Sequence, residues 1–344
     1  MLFCTHEDRP EALAGIKLLA LSLRRHCPQA NLVVSYPQPD DEFVRWCAKH
    51  DVRVLSNESW RHAGWNIKPS LLRHLLDEGH EAITWIDADI ALAGALPAIM
   101  RGLDADTLLV SQVWAWDYFP GGTVRTALWN LEPGRALAGT ASSGVVRATS
   151  AHRELLEAWQ ELLEAPAYLG AQARPVSERP IHMIGDQDVL TALLGSRRFG
   201  TIPLAWLDRR RDIVLCVGPA GYTAGQRLGH RRSTMPPLIH GAEPKYWEAS
   251  TSPTLLRRPR DYYWRVCLET SPYAWVARQY RDELGDEVAW ADARTTVGRL
   301  LATVTGDHPA LAGLPQALFH GIGKRIKKML GITAWPDAHA HVDP

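Results

Sequence analysis

The chain has 344 residues, 46% hydrophobic and 22% charged, the composition of a folded protein of one large or two modest domains rather than a disordered one. Lys plus Arg and Asp plus Glu balance at 38 each, and this zero net charge excludes nucleic acid as the main partner, because a phosphate backbone demands a cationic excess. Cys4, Cys27, Cys47, Cys216 and Cys267 are widely spaced without a CxxC pair, the start at Met1 has no secretory character, and no apolar run reaches the ~18 residues that cross a bilayer; the expectation is a cytoplasmic protein with reduced thiols.

Along the chain, Leu2–His6 is a short apolar run that reads as a strand, and Ala12–Leu23 carries a helical apolar stripe. Leu32–Tyr36 reads as a strand, Asp40–Lys49 as a helix and Val52–Leu55 as a strand. Ile67–Leu76 is helical, and Ala82–Ile90 reads as one buried strand. Strands alternating with helices over short links predict parallel βαβ units, in which ligands bind beyond the carboxyl ends of the strands. Beyond Asp106 the pattern loosens. Leu108–Val113 and Gly144–Arg147 read as strands with Pro120-Gly121-Gly122 in a turn between them, His152–Glu164 as a helix, Pro166–Pro180 as a loop and Asp186–Leu194 as a helix. Ile202–Trp206 and Pro237–His240 read as late strands, and Tyr273–Leu284, Val288–Val304 and Leu314–Leu330 as helices. The predicted organisation is an α/β domain over residues 1–250 followed by a helical extension over residues 251–344.

Chemistry gathers at few places. On a strand ending in Asp87-Ala88-Asp89 both carboxylates point to one side. Burying them there is costly unless a cation neutralises them. Mn²⁺ or Mg²⁺ suits paired carboxylates and leaves coordination positions for a diphosphate. A bare DxD arises by chance about once in a chain this long, so its neighbours decide. Asp186-Gln187-Asp188 opens a helix after Gly185; one aspartate is expected to cap it, leaving the other for chemistry.

Those neighbours form an ordered set. Asn66-Ile67-Lys68-Pro69-Ser70-Leu71-Leu72 leading into Ala82–Leu92 resembles the nucleotide-sugar half of GT-A glycosyltransferases. Three later segments are similar, in the same order, to retaining glycosyltransferase family 8. These are Ser142-Ser143-Gly144-Val145-Val146, Gly185-Asp186-Gln187-Asp188-Val189-Leu190, and His240-Gly241-Ala242-Glu243-Pro244-Lys245-Tyr246-Trp247. The resemblance covers roughly residues 1–250, and its specificity lies in the order of four motifs. Ser142 stands where the family has Asn, the His240-to-Lys245 spacing is one residue short, and Tyr246 replaces a Pro.

The resemblance implies a GT-A, Rossmann-like mixed sheet flanked by helices, with a helical C-terminal extension. It implies transfer of a sugar, with retention, from a UDP-linked nucleotide-diphosphate sugar to a carbohydrate, lipid-linked or other small acceptor. It implies Mn²⁺ or Mg²⁺ on Asp87, Asp89 and His240, and nucleotide contacts from Thr5 and Lys68, with Asp87 and Lys245 at the donor phosphates. Asp186, Gln187 and Asp188 are the catalytic candidates: Asp186 on donor-sugar hydroxyls, Gln187 near the reactive face, and an aspartate as base if the reaction inverts. Trp114, Trp116 and Tyr118 either line the acceptor side or pack in the core. A DxD at a strand end also occurs in haloacid-dehalogenase-type phosphohydrolases, and a non-catalytic sugar-nucleotide-binding protein keeps the same fold; these are the alternatives.

Leu318–Ile332 is amphipathic, with Leu318, Ile322, Ile326, Met329 and Leu330 on one face and Lys324, Arg325, Lys327 and Lys328 opposite. Such a helix either docks its apolar face on the domain or makes a peripheral contact with the inner face of the membrane.

Overall fold

Strands rich in Val, Ile and Leu alternate with capped helices through the first part of the chain. The computed structural model describes residues 1–113, 123–137, 139–232, 235–243, 245–246 and 258–331. It opens with β1 (Leu2–His6), α1 (Leu13–His26), β2 (Asn31–Ser35), α2 (Asp41–Lys49), β3 (Val52–Leu55), α3 (Lys68–Asp77) and β4 (Ala82–Ile86). The Asp40 carboxylate caps α2 by accepting the Phe43 amide at 2.7 Å, while Arg24, Arg25 and His26 close α1, where the helix dipole favours cations. Pro69 sits in the first turn of α3, where its missing N–H costs no hydrogen bond.

The expected strand Ala82–Ile90 is interrupted. β4 stops at Ile86, and Asp87-Ala88-Asp89 forms a turn in which the Ile90 amide donates to the Asp87 carbonyl at 3.0 Å; β5 (Ile90–Leu92) follows. Aspartate suits this corner because it readily takes turn conformations, so the two acids stand on a bend rather than on one strand face. The ladder to the neighbouring strand ends here, with the Asp87 amide donating to the Gly144 carbonyl at 2.9 Å.

The chain continues through β6 (Leu108–Gln112), α4 (Thr123–Leu128), β7 (Ala141–Thr149), α5 (Arg153–Glu164), α6 (Pro166–Gln172), α7 (Asp186–Leu194) and β8 (Leu204–Leu207). Part of the expected loop Pro166–Pro180 is therefore helical: Pro166 begins α6, where proline is pre-set for helix, and burial of Tyr168 and Ala171 holds the turn. Seven strands form one sheet in the order β3-β2-β1-β4-β7-β6-β8. β3, β2, β1 and β4 run parallel, whereas β7 pairs antiparallel with both β4 and β6, so the sheet is mixed as expected. The β6–β7 register shifts between Val110 and Ser111, which leaves Ser143, Gly144 and Val145 without partners on β6. Leu71, Leu72 and Leu75 of α3, Trp159 of α5 and Val189, Leu190 and Leu193 of α7 pack with Trp85, Val110 and Val146 in one apolar core. The Trp159 indole donates to the Asp186 carbonyl at 3.0 Å, which ties α5 to the start of α7.

The chain divides into two compact units, Met1–Ile213 and Val214–Pro344. After β9 (Ile213–Val217), the second unit carries α8 (Gly218–Gly221), α9 (Ala224–His230), β10 (Leu238–Glu243), α10 (Pro259–Glu269), α11 (Pro272–Arg278), α12 (Arg281–Leu284), α13 (Thr296–Thr305) and α14 (Leu314–Met329). The expected helix Val288–Val304 is shorter because Thr295 caps α13, its hydroxyl accepting the Gly298 amide at 2.9 Å, and Gly285–Ala291 is a 3-10 turn instead. The expected boundary at residues 250/251, the turn Pro120-Gly121-Gly122, and Trp114, Trp116 and Tyr118 lie outside the described residues, as do Pro244 and Trp247.

Candidate functional site

In the first unit, the strand order reverses beside β1, and the polar residues that matter cluster at the carboxyl ends of β1 and β4 and on the irregular stretch of β7. Lys68 is their hub. Its side chain is almost fully buried, and Nζ lies 3.2 Å from Asp87 Oδ1 and 3.1 Å from Asp186 Oδ2. Nζ also donates to Ser143 Oγ at 2.8 Å and sits 5.4 Å from the Trp85 ring centroid. The Trp85 indole donates to the same Asp87 oxygen at 2.7 Å. Four segments far apart in the chain thus meet at one ammonium group. Burial opposes the Lys68 charge, but Asp186 and then Asp87 more than offset it and hold the pKa above the ordinary lysine value. Burial likewise pushes the Asp186 carboxyl up, with Lys68 pulling it back.

At the end of β1 the fully buried Thr5 hydroxyl has no hydrogen-bond partner among the described residues. His6 Nδ1 bonds Ser35 Oγ at 2.9 Å, and Nε2 lies 3.9 Å from Asp8. The buried Glu7 carboxylate accepts from Arg9 at 2.7 and 2.9 Å. This holds the Arg9 guanidinium above its usual value, with smaller contributions from Asp8 and Asp89.

The two aspartates of α7 do different work. The Asp188 carboxylate accepts the Gly185 amide at 3.1 Å and the Arg125 Nε at 2.9 Å, so it closes the helix start and neutralises a buried arginine. Asp186 instead faces Lys68. Burial raises the Asp188 carboxyl to about 6, with Arg125 pulling downward. Gln187 lies between them, half-buried, its carbonyl accepting from Thr191 Oγ1 at 2.7 Å. The sequence pattern pointed to Lys68, Asp87, Asp186 and Asp188 and missed three of their partners. Ser143 lay within a recognised motif, Trp85 was visible only as strand, and Arg125 belongs to a helix that no periodicity announced.

His240 and Lys245 belong to the second unit: the buried His240 sits within β10, and Lys245 follows it, half-buried. The neighbouring Gly241 packs against the fully buried Tyr273, where an added Cβ would come within 2.7 Å of the ring. That ring stacks on Trp290 at 5.7 Å and cannot give way. Gly241→Ala is therefore expected to cost about 1–3 kcal/mol in urea unfolding by overpacking. Gly225→Ala serves as the contrast, because no atom lies within 4 Å of its added Cβ, and a midpoint no lower than wild type is expected there.

No protein-family model matches this sequence, and no curated protein matches it. Among solved structures the chain is similar to a glycosyltransferase involved in the glycosylation of the major capsid of PBCV-1. That match has 12% identity over 71% of this chain and 93% of the other, with a TM-score of 0.41. It is also similar to the galactosyltransferase LgtC in complex with donor and acceptor sugar analogs, at 12% identity over 81% of this chain and 96% of the other, with a TM-score of 0.48. At this identity and these TM-scores neither likeness carries function across, and the chain's own residues must do so.

Proposed function

We propose that this chain is a GT-A type glycosyltransferase that moves a sugar from a UDP-linked nucleotide-diphosphate sugar to an acceptor hydroxyl with retention, using Mn²⁺ or Mg²⁺. The observation that carries this reading is the convergence on Lys68. Segments of the ordered motif set, far apart in the sequence, supply Lys68, Asp87, Ser143 and Asp186 to one buried cluster. Acids scattered by chance have no reason to share a buried lysine, because each burial is costly unless paired.

The chemistry asks for charge at two places. Transfer breaks the bond from the anomeric carbon to the diphosphate oxygen, whose electron pair leaves with the diphosphate. The acceptor oxygen bonds to that carbon, and its proton passes to the departing phosphate. Cationic groups must therefore stand at the leaving group. Asp87, Asp89 and His240 are the metal ligands of this reading, and carboxylate and imidazole donors of this kind suit Mn²⁺ or Mg²⁺. When bound, the ion supplies positive charge against the diphosphate. Lys245 adds a mobile point charge toward the same phosphates. Asp186, charge-paired with Lys68, is oriented to accept donor-sugar hydroxyls, and Gln187 beside it meets the sugar's reactive face. Asp188, committed to Gly185 and Arg125, holds the helix start that carries both. The Thr5 hydroxyl is a nucleotide contact.

A panel of nucleotide sugars, assayed for release of free nucleotide with and without Mn²⁺, tests the reading. Metal-dependent release is expected, and Asp89→Ala is expected to lower it at least about a hundredfold, since a bound metal contributes several kcal/mol to stabilising the leaving charge. Release of phosphate from phosphomonoesters would instead indicate a haloacid-dehalogenase-type enzyme. Tight binding without turnover, across acceptors that include sugars and lipid-linked sugars, would indicate a binding protein. The anomeric configuration of the product, read by NMR, separates retention from inversion.

A further inference from the structure

α14 presents its amphipathic pattern the wrong way round for a helix stabilised by its own unit. Gln316 and Ala317 are buried, on the side where the helix meets α8 and α9. The linker before it is tied down as well, with Arg227 donating to the Ala310 carbonyl at 3.0 Å. The apolar stripe points outward: Phe319 is 74% exposed, Ile322 58% and Met329 78%, with Leu318, Ile326 and Leu330 exposed beside them. α13 repeats this, because Val297, Leu300 and Val304, spaced for one helical face, are exposed too. Docking of the apolar face on the domain, one of the two arrangements expected for this helix, is not what the described residues adopt. Eight large apolar side chains on two successive helices, with Leu330 just past the second, are far more than the scattered single exposures of an ordinary surface.

Charge says what covers them. α13 and α14 contain Arg299, Lys324, Arg325, Lys327 and Lys328 and no Asp or Glu. A second copy of this chain, meeting the patch about a two-fold axis, would bring no acid from these helices to pair with those cations. Protein interfaces are in any case depleted in lysine. Anionic headgroups over acyl chains complement both features at once. No helix among the described residues is long and apolar enough to cross a membrane, so the contact is made along the surface.

We propose that α13 and α14 form a membrane-surface docking face that binds an anionic lipid bilayer, the apolar stripe entering the headgroup region and the cations lying against its charge. The inference stands apart from the sugar-transfer reading, and its test reads lipid binding alone.

The test is flotation of the full chain with vesicles of phosphatidylglycerol and phosphatidylcholine, against vesicles of phosphatidylcholine only. The chain is expected to float with the anionic vesicles at low salt and to be released at ~0.5 M NaCl, where charge is screened. The triple variant Lys324→Gln/Arg325→Gln/Lys327→Gln is expected to lower partitioning on the order of a hundredfold, at about fivefold per charge. Phe319→Ser/Ile322→Ser/Met329→Ser is expected to abolish flotation. All these side chains are exposed, so both variants should keep the wild-type urea midpoint, which checks that they fold. Failure of the wild type to float, or equal flotation with neutral vesicles, overturns the proposal. So does a lipid-free dimer, in sedimentation velocity, that the serine variant dissociates, for then a second copy covers the face.

Discussion

Lys68→Met is expected to destabilise the chain by about 3–5 kcal/mol, the cost of removing one partner from a buried charge cluster and leaving the others uncompensated. Asp186 and Asp87 both rely on this ammonium, with separations of 3.1 and 3.2 Å, and Ser143 loses the donor that bonds it at 2.8 Å. Methionine fills much the same volume, so the loss reports charge and hydrogen bonding rather than a cavity. Urea unfolding at neutral pH measures it. The double variant Lys68→Met/Asp186→Asn should regain part of the loss, because one stranded carboxylate has gone with the lysine. The pH dependence has a definite sign. The folded pKa of Lys68 is raised above the unfolded value, so its contribution is fully present below the ordinary lysine pKa and is lost only as pH climbs through the folded one. A Lys68→Met effect smaller than about 0.5 kcal/mol would show that the cluster does not act as a charge hub.

Arg125→Met should produce a second loss of similar size, with a different pH signature. Arg125 and Asp188 are buried together, joined at 2.9 Å, and Asp188 titrates at about 6 even with the arginine beside it. An acid whose folded pKa is raised gives stability below its unfolded pKa and loses it as pH rises through the folded one. Without Arg125, the largest downward influence on Asp188 disappears and its folded pKa moves above 6. At pH 5 the stranded carboxyl takes up a proton and the variant is partly relieved; at pH 8 it must carry an unpaired buried charge. The stability gap between variant and wild type should therefore widen from pH 5 to pH 8. A gap independent of pH would mean that Asp188 is not the group left exposed to the change. Thr126 and Trp129 hold α4 against α7 and the turn before it, bonding the Ala192 carbonyl at 2.7 Å and the His182 carbonyl at 3.0 Å, so the helix stays anchored in the variant.

Local signals carried the fold where one rule acted alone. The helix read at Asp40–Lys49 is α2 with its cap, the strand read at Val52–Leu55 is β3 to the residue, and Asp186–Leu194 is α7 to the residue. They failed where two rules met. Apolar residues running up to Asp87 and resuming at Ile90 suit a continuous strand as well as a strand, turn and second strand, and only the pairing with Gly144 decides between them. Pro166 reads as a breaker, yet proline is also a good first residue of a helix. α10 went unread because its Tyr262-Tyr263-Trp264 run has no helical stripe. The site was legible as a set of motifs but not as a geometry. The resemblance puts Lys68 at the nucleotide; that its ammonium also meets Asp87 after β4, Ser143 of β7 and Asp186 of α7 is a property of strand order. Which aspartate caps α7 depended on Arg125, whose helix gave no signal.

The position of β7 has a consequence for how the protein is made. β4 and β6 are not neighbours in the sheet; β7 lies between them and pairs with both. As the chain is synthesised, the parallel set β3-β2-β1-β4 is complete long before Ala141–Thr149 emerges, and β4 waits with an open edge carrying the core residues Ile83 and Trp85. An unpaired, apolar edge of this kind is a template for mispairing with another chain. Pausing or truncation between Ile86 and Ala141 would hold the nascent protein at its most aggregation-prone stage, and arrival of β7 seals the edge and delivers Ser143 to Lys68 in one event.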